Sequence, residues 1–138
     1  MVARIRAVGA TAAVLAAGAT AARPGTAFLC CDEAGTPHAY REALSDDEKE
    51  TVSTSAFSGR TARGMRNNFI DAIADKIVLA FPQQNTLTGA LRRWAASVGD
   101  AGFQSVWAGT GHRKIKSLPV AQLMATVEQE LSKAATRP

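Results

Sequence analysis

The first thirty residues constrain this chain most. An alanine-rich run from Ala7 to Ala17 stops at Gly18, and the short apolar stretch Ala21-Ala22-Arg23-Pro24-Gly25-Thr26-Ala27-Phe28-Leu29 follows. Alanine loses almost no side-chain freedom in a helix, and glycine just past the last turn ends one, so residues 7 to 17 read as helix. A strand is expected at about 20 to 23, resuming near 26 to 30, with Pro24-Gly25 as a break or an edge. Such an order brings bare backbone N–H groups to the end of a strand, where a phosphate can sit.

The same segment carries a competing reading. Met1 to Arg6 is basic and the residues to Ala22 are small, as in a secretory signal peptide. Against it, only Val8, Val14 and Leu15 are strongly apolar, Gly9 and Gly18 interrupt the run, and it is too short and weakly apolar for a membrane span. Signal peptide and helix within a domain both stay open on these residues alone.

The remaining 100 or so residues alternate periodic segments with turns. Thr36-Pro37 reads as an N-cap followed by proline in the first helical position, opening a helix through Leu44. The acidic run Ser45 to Glu50 reads as a solvated loop. Glu50 to Phe57 leans to strand, and Gly59 to Gly64 is a glycine-bounded basic turn. Phe69, Ile70, Ile73 and Ile77 predict one apolar helical face ending at Phe81-Pro82. Asn85 is the expected cap of a helix from Thr86 to Val98, with Leu87, Leu91, Trp94 and Val98 on its apolar stripe. Phe103 to Trp107 is a short apolar piece, and Gly109-Thr110-Gly111 a flexible turn. A terminal helix begins at Ser117-Leu118-Pro119, with Val120, Leu123, Met124, Val127 and Leu131 at helical spacing.

The chain has 138 residues, 46% hydrophobic and 20% charged, enough for a core and against disorder. Its net charge of +4 suits solubility as well as an anionic ligand. No basic-aromatic alternation of the kind that stacks bases is present, which argues against nucleic acid. Cys30 and Cys31 are adjacent and have no third thiol to pair with, so they read as reduced, partly buried small apolar residues in a reducing, cytoplasmic compartment. His38 and His112 stand alone, too far from other ligand types for a metal site, and each reads as a surface or loop histidine.

Taken in order, several of these segments resemble the C-terminal part of the nitronate monooxygenases, also called 2-nitropropane dioxygenases. The residues are Ala12 to Ala19 followed by Gly25-Thr26-Ala27-Phe28-Leu29; Thr36-Pro37-His38-Ala39-Tyr40; Ala56-Phe57-Ser58-Gly59-Arg60-Thr61-Ala62-Arg63-Gly64-Met65-Arg66-Asn67; Pro82-Gln83-Gln84-Asn85-Thr86-Leu87-Thr88; and Trp107-Ala108-Gly109-Thr110-Gly111.

The resemblance implies an α/β fold: the C-terminal fragment of an FMN-binding (β/α)8 TIM barrel plus a small helical second domain, mostly helical within this chain. It places the last barrel units and the FMN phosphate end in residues 1–45, and the small helical domain with the C-terminal helix in 46–138. It implies FMN as cofactor, with Arg23, Pro24, Gly25 and Thr26 as cofactor-binding residues. Arg4, in an Ala3-Arg4-Ile5 step where the family has glycines, adds charge. The implied activity is oxidation of alkyl nitronates with O2 to a carbonyl compound and nitrite.

A whole barrel of this class needs about 250 residues. The resemblance therefore implies no catalytic residue in this chain, because the family's catalytic histidine loop lies upstream of the matched part. A complementary N-terminal barrel segment is the implied partner. The alternatives are a non-catalytic remnant, a flavin-dependent enoyl reductase relative, and a small secreted helical protein. Arg60 and Arg63 are expected to bridge a structural junction, with an anion contact as the other reading.

Overall fold

The computed structural model describes residues 2–5 and 11–135, with side chains from 11 to 134. The described backbone forms ten elements joined by short 3-10 turns: β1 (Val2–Ile5), α1 (Thr11–Ala16), β2 (Ala21–Pro24), α2 (His38–Ser45), β3 (Thr51–Thr54), β4 (Ala62–Met65), α3 (Asn68–Ala72), α4 (Gln83–Leu87), α5 (Gly89–Val98) and α6 (Val120–Ala135). The architecture is mixed α/β and mostly helical. It divides into two units, Met1–Thr36 with Lys114–Pro138, and Pro37–Arg113.

In the first unit β1 and β2 pair in parallel, with Arg4 opposite Arg23 and Ile5 opposite Pro24, so both strands end at the same edge. The helix expected over 7 to 17 is described from Thr11; residues 6–10 and the start of that helix lie outside the described residues. It stops where expected. Gly18 takes φ +91°, Gly18 N–H donates to Leu15 O and Ala19 N–H to Val14 O, the double closure that satisfies a helix's last carbonyls.

The strand does not resume at 26 to 30. Pro24 has no N–H to give a ladder, and Gly25 turns into the right-handed helical region (φ −116°, ψ −61°). Phe28 and Leu29 then donate to Gly25 O and Thr26 O, making Thr26–Phe28 a 3-10 turn. Helix α6 packs on α1 through a face that includes buried Leu123 and Val127. Its first N–H groups need partners, and the Glu33 carboxylate supplies one by accepting from Val120 N–H at 3.0 and 3.1 Å. Cys30 and Cys31 are both buried and form no disulfide, as their sequence context indicates.

The second unit is built on an antiparallel hairpin, β3 with β4, in which Thr51 faces Met65 and Thr54 faces Ala62. The basic turn expected at 59 to 64 is thus half strand. Gly59 makes the reversal at φ +78°, and an added Cβ would strike the backbone of 79–81, with Phe81 N at 2.6 Å. Gly64 likewise has no room for a side chain, because Val106 O would lie 2.7 Å from a Cβ; there Gly64 bridges Trp107. Phe57, 1% exposed, packs on Phe69 at 4.8 Å and edge-on to Trp107 at 5.7 Å, and forms the unit's aromatic centre.

Three helix expectations shift here. Pro37 occupies the N-cap position of α2 and its carbonyl accepts from Tyr40 and Arg41, so the helix begins one residue later than Thr36-Pro37 implies. The long helix expected from Phe69 to Phe81 ends at Ala72. Asn67 Oδ1 caps its start, but Leu79 N–H is captured by Gln84 Oε1 at 3.2 Å, and the residue before Pro82 is steered away from helix. Ile77 is 95% exposed as a result.

The helix expected from Thr86 begins at Gln83, steps at Thr88, and turns a different face inward. Gln84 Nε2 donates to Ala56 O and Thr88 Oγ1 to Phe57 O, each at 2.6 Å. These two bonds hold the helix in this rotation, each answering a buried carbonyl that would cost about 1–3 kcal/mol if left unpaired. Leu87, Trp94 and Val98 are left outside.

Candidate functional site

The four residues expected to bind a cofactor lie together where β2 ends. Arg23 and Pro24 are its last two residues, Gly25 precedes the 3-10 turn, and Thr26 opens it. Because β1 and β2 run parallel and end at one edge, Gly25 and Thr26 occupy the carboxyl side of the pair, the side on which open and closed parallel sheets hold ligands. Arg23 and Gly25 are exposed. Arg4 is Arg23's register partner, although its side chain lies outside the described residues.

Two features test whether a phosphate-bearing group fits here. An ideal Cβ on Gly25 meets no atom of the described residues within 4 Å, and its φ is one that any residue adopts. Among the described residues neither packing nor backbone demands glycine at 25. A close approach of a ligand to the backbone would. Secondly, Thr11, at the start of the helix that follows β1, buries its hydroxyl with no hydrogen-bond partner among the described residues. Such an orphaned group in a native structure calls for an unseen partner. The residues present fit an anionic group at this end of the first unit.

Elsewhere the chemistry is structural. Arg63 Nη1 donates to Thr51 O at 2.9 Å and Nη2 to Ser53 Oγ at 3.0 Å, bracing the hairpin. Arg60 lies over the Phe81 ring at 4.2 Å, a cation–π contact. Both arginines are therefore engaged by their own unit. An open cleft of about 520 Å³ beside the hairpin presents Glu48, Glu50, Asp71 and Asp100 against Lys49 and Arg66. Its acidic excess repels phosphate, and Arg66 is already paired with Asp71 at 2.8 Å, which holds the guanidinium further toward its charged form.

Tyr40 donates its hydroxyl to Trp107 O at 2.8 Å and ties α2 to the segment before Gly109-Thr110-Gly111. Burial outweighs that bond and pushes its pKa up to about 12.

The two histidines differ from each other. His38 is exposed and pairs with Glu42 at 3.3 Å. His112 is 4% exposed, and neither ring nitrogen has a hydrogen-bond partner among the described residues, which corrects its reading as a surface or loop group. Its neighbours Arg113 and Lys114 hide that burial in the sequence; the glycines and Trp107 before it were the available signal. Among the described residues no group of three or more His, Cys, Asp or Glu could hold a metal, and no helix is long and apolar enough to cross a membrane.

Comparison with known proteins places this geometry. A family model described as nitronate monooxygenase matches residues 5–130. The chain belongs to the nitronate monooxygenase family. It is similar to a nitronate monooxygenase of Paraburkholderia phytofirmans, 39% identical over 127 residues, and to one of Pseudomonas aeruginosa, 39% identical over 123. These matches take in 89% and 86% of this chain but 35% of each relative, so the chain spans about a third of their length. Among solved structures, a nitroalkane oxidase from Streptomyces ansochromogenes superposes with a TM-score of 0.92 at 43% identity, covering 98% of this chain and 40% of that one. FabK from Thermotoga maritima superposes at 0.77 with 26% identity, covering 97% and 44%. The segments quoted from the sequence for a nitronate monooxygenase resemblance lie within the matched range.

Proposed function

We propose that this chain is the C-terminal part of an FMN-dependent nitronate monooxygenase of the (β/α)8-barrel type, carrying the phosphate end of the flavin site and none of the catalytic base. Gly25 is the observation that carries the reading: a glycine with an open Cβ position and ordinary backbone, beyond the carboxyl ends of two parallel strands. Gly25 and Thr26 offer backbone amides to the phosphate, and Arg23, with Pro24 fixing the bend, offers charge. Thr11 adds its buried hydroxyl. The enzyme acts in the cytoplasm, where Cys30 and Cys31 stay reduced.

Bound flavin supplies the electron transfer by which an alkyl nitronate and O2 give a carbonyl compound and nitrite. The residues of this chain bind and orient; proton transfer belongs to a complementary N-terminal barrel segment. That segment is the proposed partner, because a parallel pair of strands is ordinarily part of a larger sheet covered on both faces.

The test is complementation. The chain is co-expressed with the part of the Streptomyces ansochromogenes nitroalkane oxidase that it does not cover, and nitrite release from propyl-2-nitronate is measured. Activity from the pair and none from either part is expected; Gly25→Ala should weaken FMN retention at least tenfold and leave the melting temperature of the chain unchanged. Equal FMN retention by Gly25→Ala, or a pair that neither binds FMN nor releases nitrite, contradicts the reading.

A further inference from the structure

The β3–β4 hairpin of the second unit has an outer edge, and its hydrogen-bond phase tells which groups point there. Arg66 N–H donates to Glu50 O, so Glu50–Arg66 is a bonded couple. The alternation of an antiparallel ladder then makes Val52–Gly64 and Thr54–Ala62 bonded couples, and Thr51–Met65 and Ser53–Arg63 non-bonded ones. The other side of β4 has the same phase: Met65 N–H donates to Val106 O, and Arg63 O accepts from Ala108 N–H. Thr51 and Ser53 therefore direct their backbone groups away from β4. Among the described residues no backbone group pairs with theirs on that side.

An open cleft of about 370 Å³ lies beside this edge, with Val52, Ile70, Ile73 and Val78 in its lining. An added strand would find both a ladder and apolar cover there. The edge is also self-complementary. Two copies set antiparallel about Val52 would place each Thr51 opposite the other copy's Ser53 as a bonded couple, with the two Val52 positions facing each other.

One side chain stands in the way. Arg63, the register partner of Ser53, carries its guanidinium across β3. Nη1 donates to Thr51 O at 2.9 Å and to Thr51 Oγ1 at 3.4 Å, and Nη2 donates to Ser53 Oγ at 3.0 Å. The carbonyl it takes is an outward one that the backbone of β4 cannot reach. The planar fork holds both residues at once, which a point charge could not do. Arg63 is exposed and has no carboxylate partner among the described residues, so a two-fold pairing of edges would also bring two uncompensated charges together.

We propose that Arg63 is a strap that closes the outer edge of β3 against strand addition by a second copy of this chain. The test uses Val52→Cys as a reporter in the full chain, because a non-bonded antiparallel couple brings its Cα atoms to about 4.5 Å, within disulfide range. Arg63→Ala with Val52→Cys should cross-link two copies through position 52 under mild oxidation at least tenfold faster than Val52→Cys alone. Adding Ser53→Pro removes an outward N–H that β4 does not use, and should return the rate to that of Val52→Cys alone. Far-ultraviolet circular dichroism should stay unchanged throughout. Equal cross-linking with and without Arg63, or a fast rate that Ser53→Pro leaves untouched, overturns the proposal. If Arg63→Ala loses the circular dichroism of the chain, Arg63→Lys replaces it: a severalfold faster cross-link supports the strap, and a rate equal to that of Val52→Cys alone overturns it.

Discussion

The two units of this molecule hold themselves together by different means. In the Pro37–Arg113 unit, side chains answer buried or half-buried backbone groups across long stretches of sequence. Gln84 and Thr88 bond the Ala56 and Phe57 carbonyls, Asn67 bonds those of Ala101 and Gln104, Gln104 bonds that of Ala95, and Tyr40 bonds that of Trp107. The unit that joins Met1–Thr36 to Lys114–Pro138 has a two-stranded parallel sheet, a short helix and a long one, tied by Glu33 to Val120 and Ser117 to Cys30. The first kind of unit carries its own satisfaction of polar groups. The second shows only a two-stranded sheet among its described residues, and it is the unit that holds the candidate site.

Removing the aromatic centre gives the largest expected effect on that contrast. Phe57→Ala empties a fully buried position between Phe69 and Trp107 and should destabilise the 37–113 unit by about 3–5 kcal/mol, read from Trp107 fluorescence in urea with Trp94→Phe as background. An effect below about 1 kcal/mol would mean that the aromatic cluster is not the core.

Thr88→Val keeps the volume but leaves the Phe57 carbonyl unpaired, with an expected loss of about 1–3 kcal/mol by the same measurement. Amide exchange sharpens the comparison directly. The amides of β3 and β4 should exchange at least a hundredfold more slowly than those of β1 and β2, and equal protection would show that the first unit is self-sufficient after all.

Tyr40→Phe is the smallest change, about 1 kcal/mol near neutral pH. It carries a pH signature. The folded state holds the phenol proton up to about pH 12, whereas an unfolded chain releases it near pH 10, so between those values the native state binds more protons and its stability falls as pH rises. That alkaline decline should flatten in Tyr40→Phe, as followed by urea midpoints from pH 9 to 11.5.

The contrast also explains what was legible in the sequence. The Gly18 stop, the buried Cys30-Cys31 without a disulfide and the terminal helix with Leu123 and Val127 inward were readable because each depends on local chemistry or on strict period. The inward face of α4 and α5 was not. Periodicity assigns Leu87, Trp94 and Val98 to the core, but hydrogen bonds from Gln84 and Thr88 to carbonyls roughly thirty residues away decide the rotation, and no local pattern encodes those. The shortness of α3 has the same origin in Gln84 and Pro82. At the candidate site, the Gly-Thr step marked the place; that Gly25 has open space rather than a tight turn needed coordinates, as did the burial of His112 beneath a basic-looking run.

The proposed division of one flavin site between this chain and the rest of the barrel is tested most directly by the visible absorbance of the chain purified alone after saturation with FMN and desalting. A colourless protein with no flavin band is expected, turning yellow only with the complementary segment; a band near 450 nm at close to one flavin per chain, from the chain alone, would contradict that division.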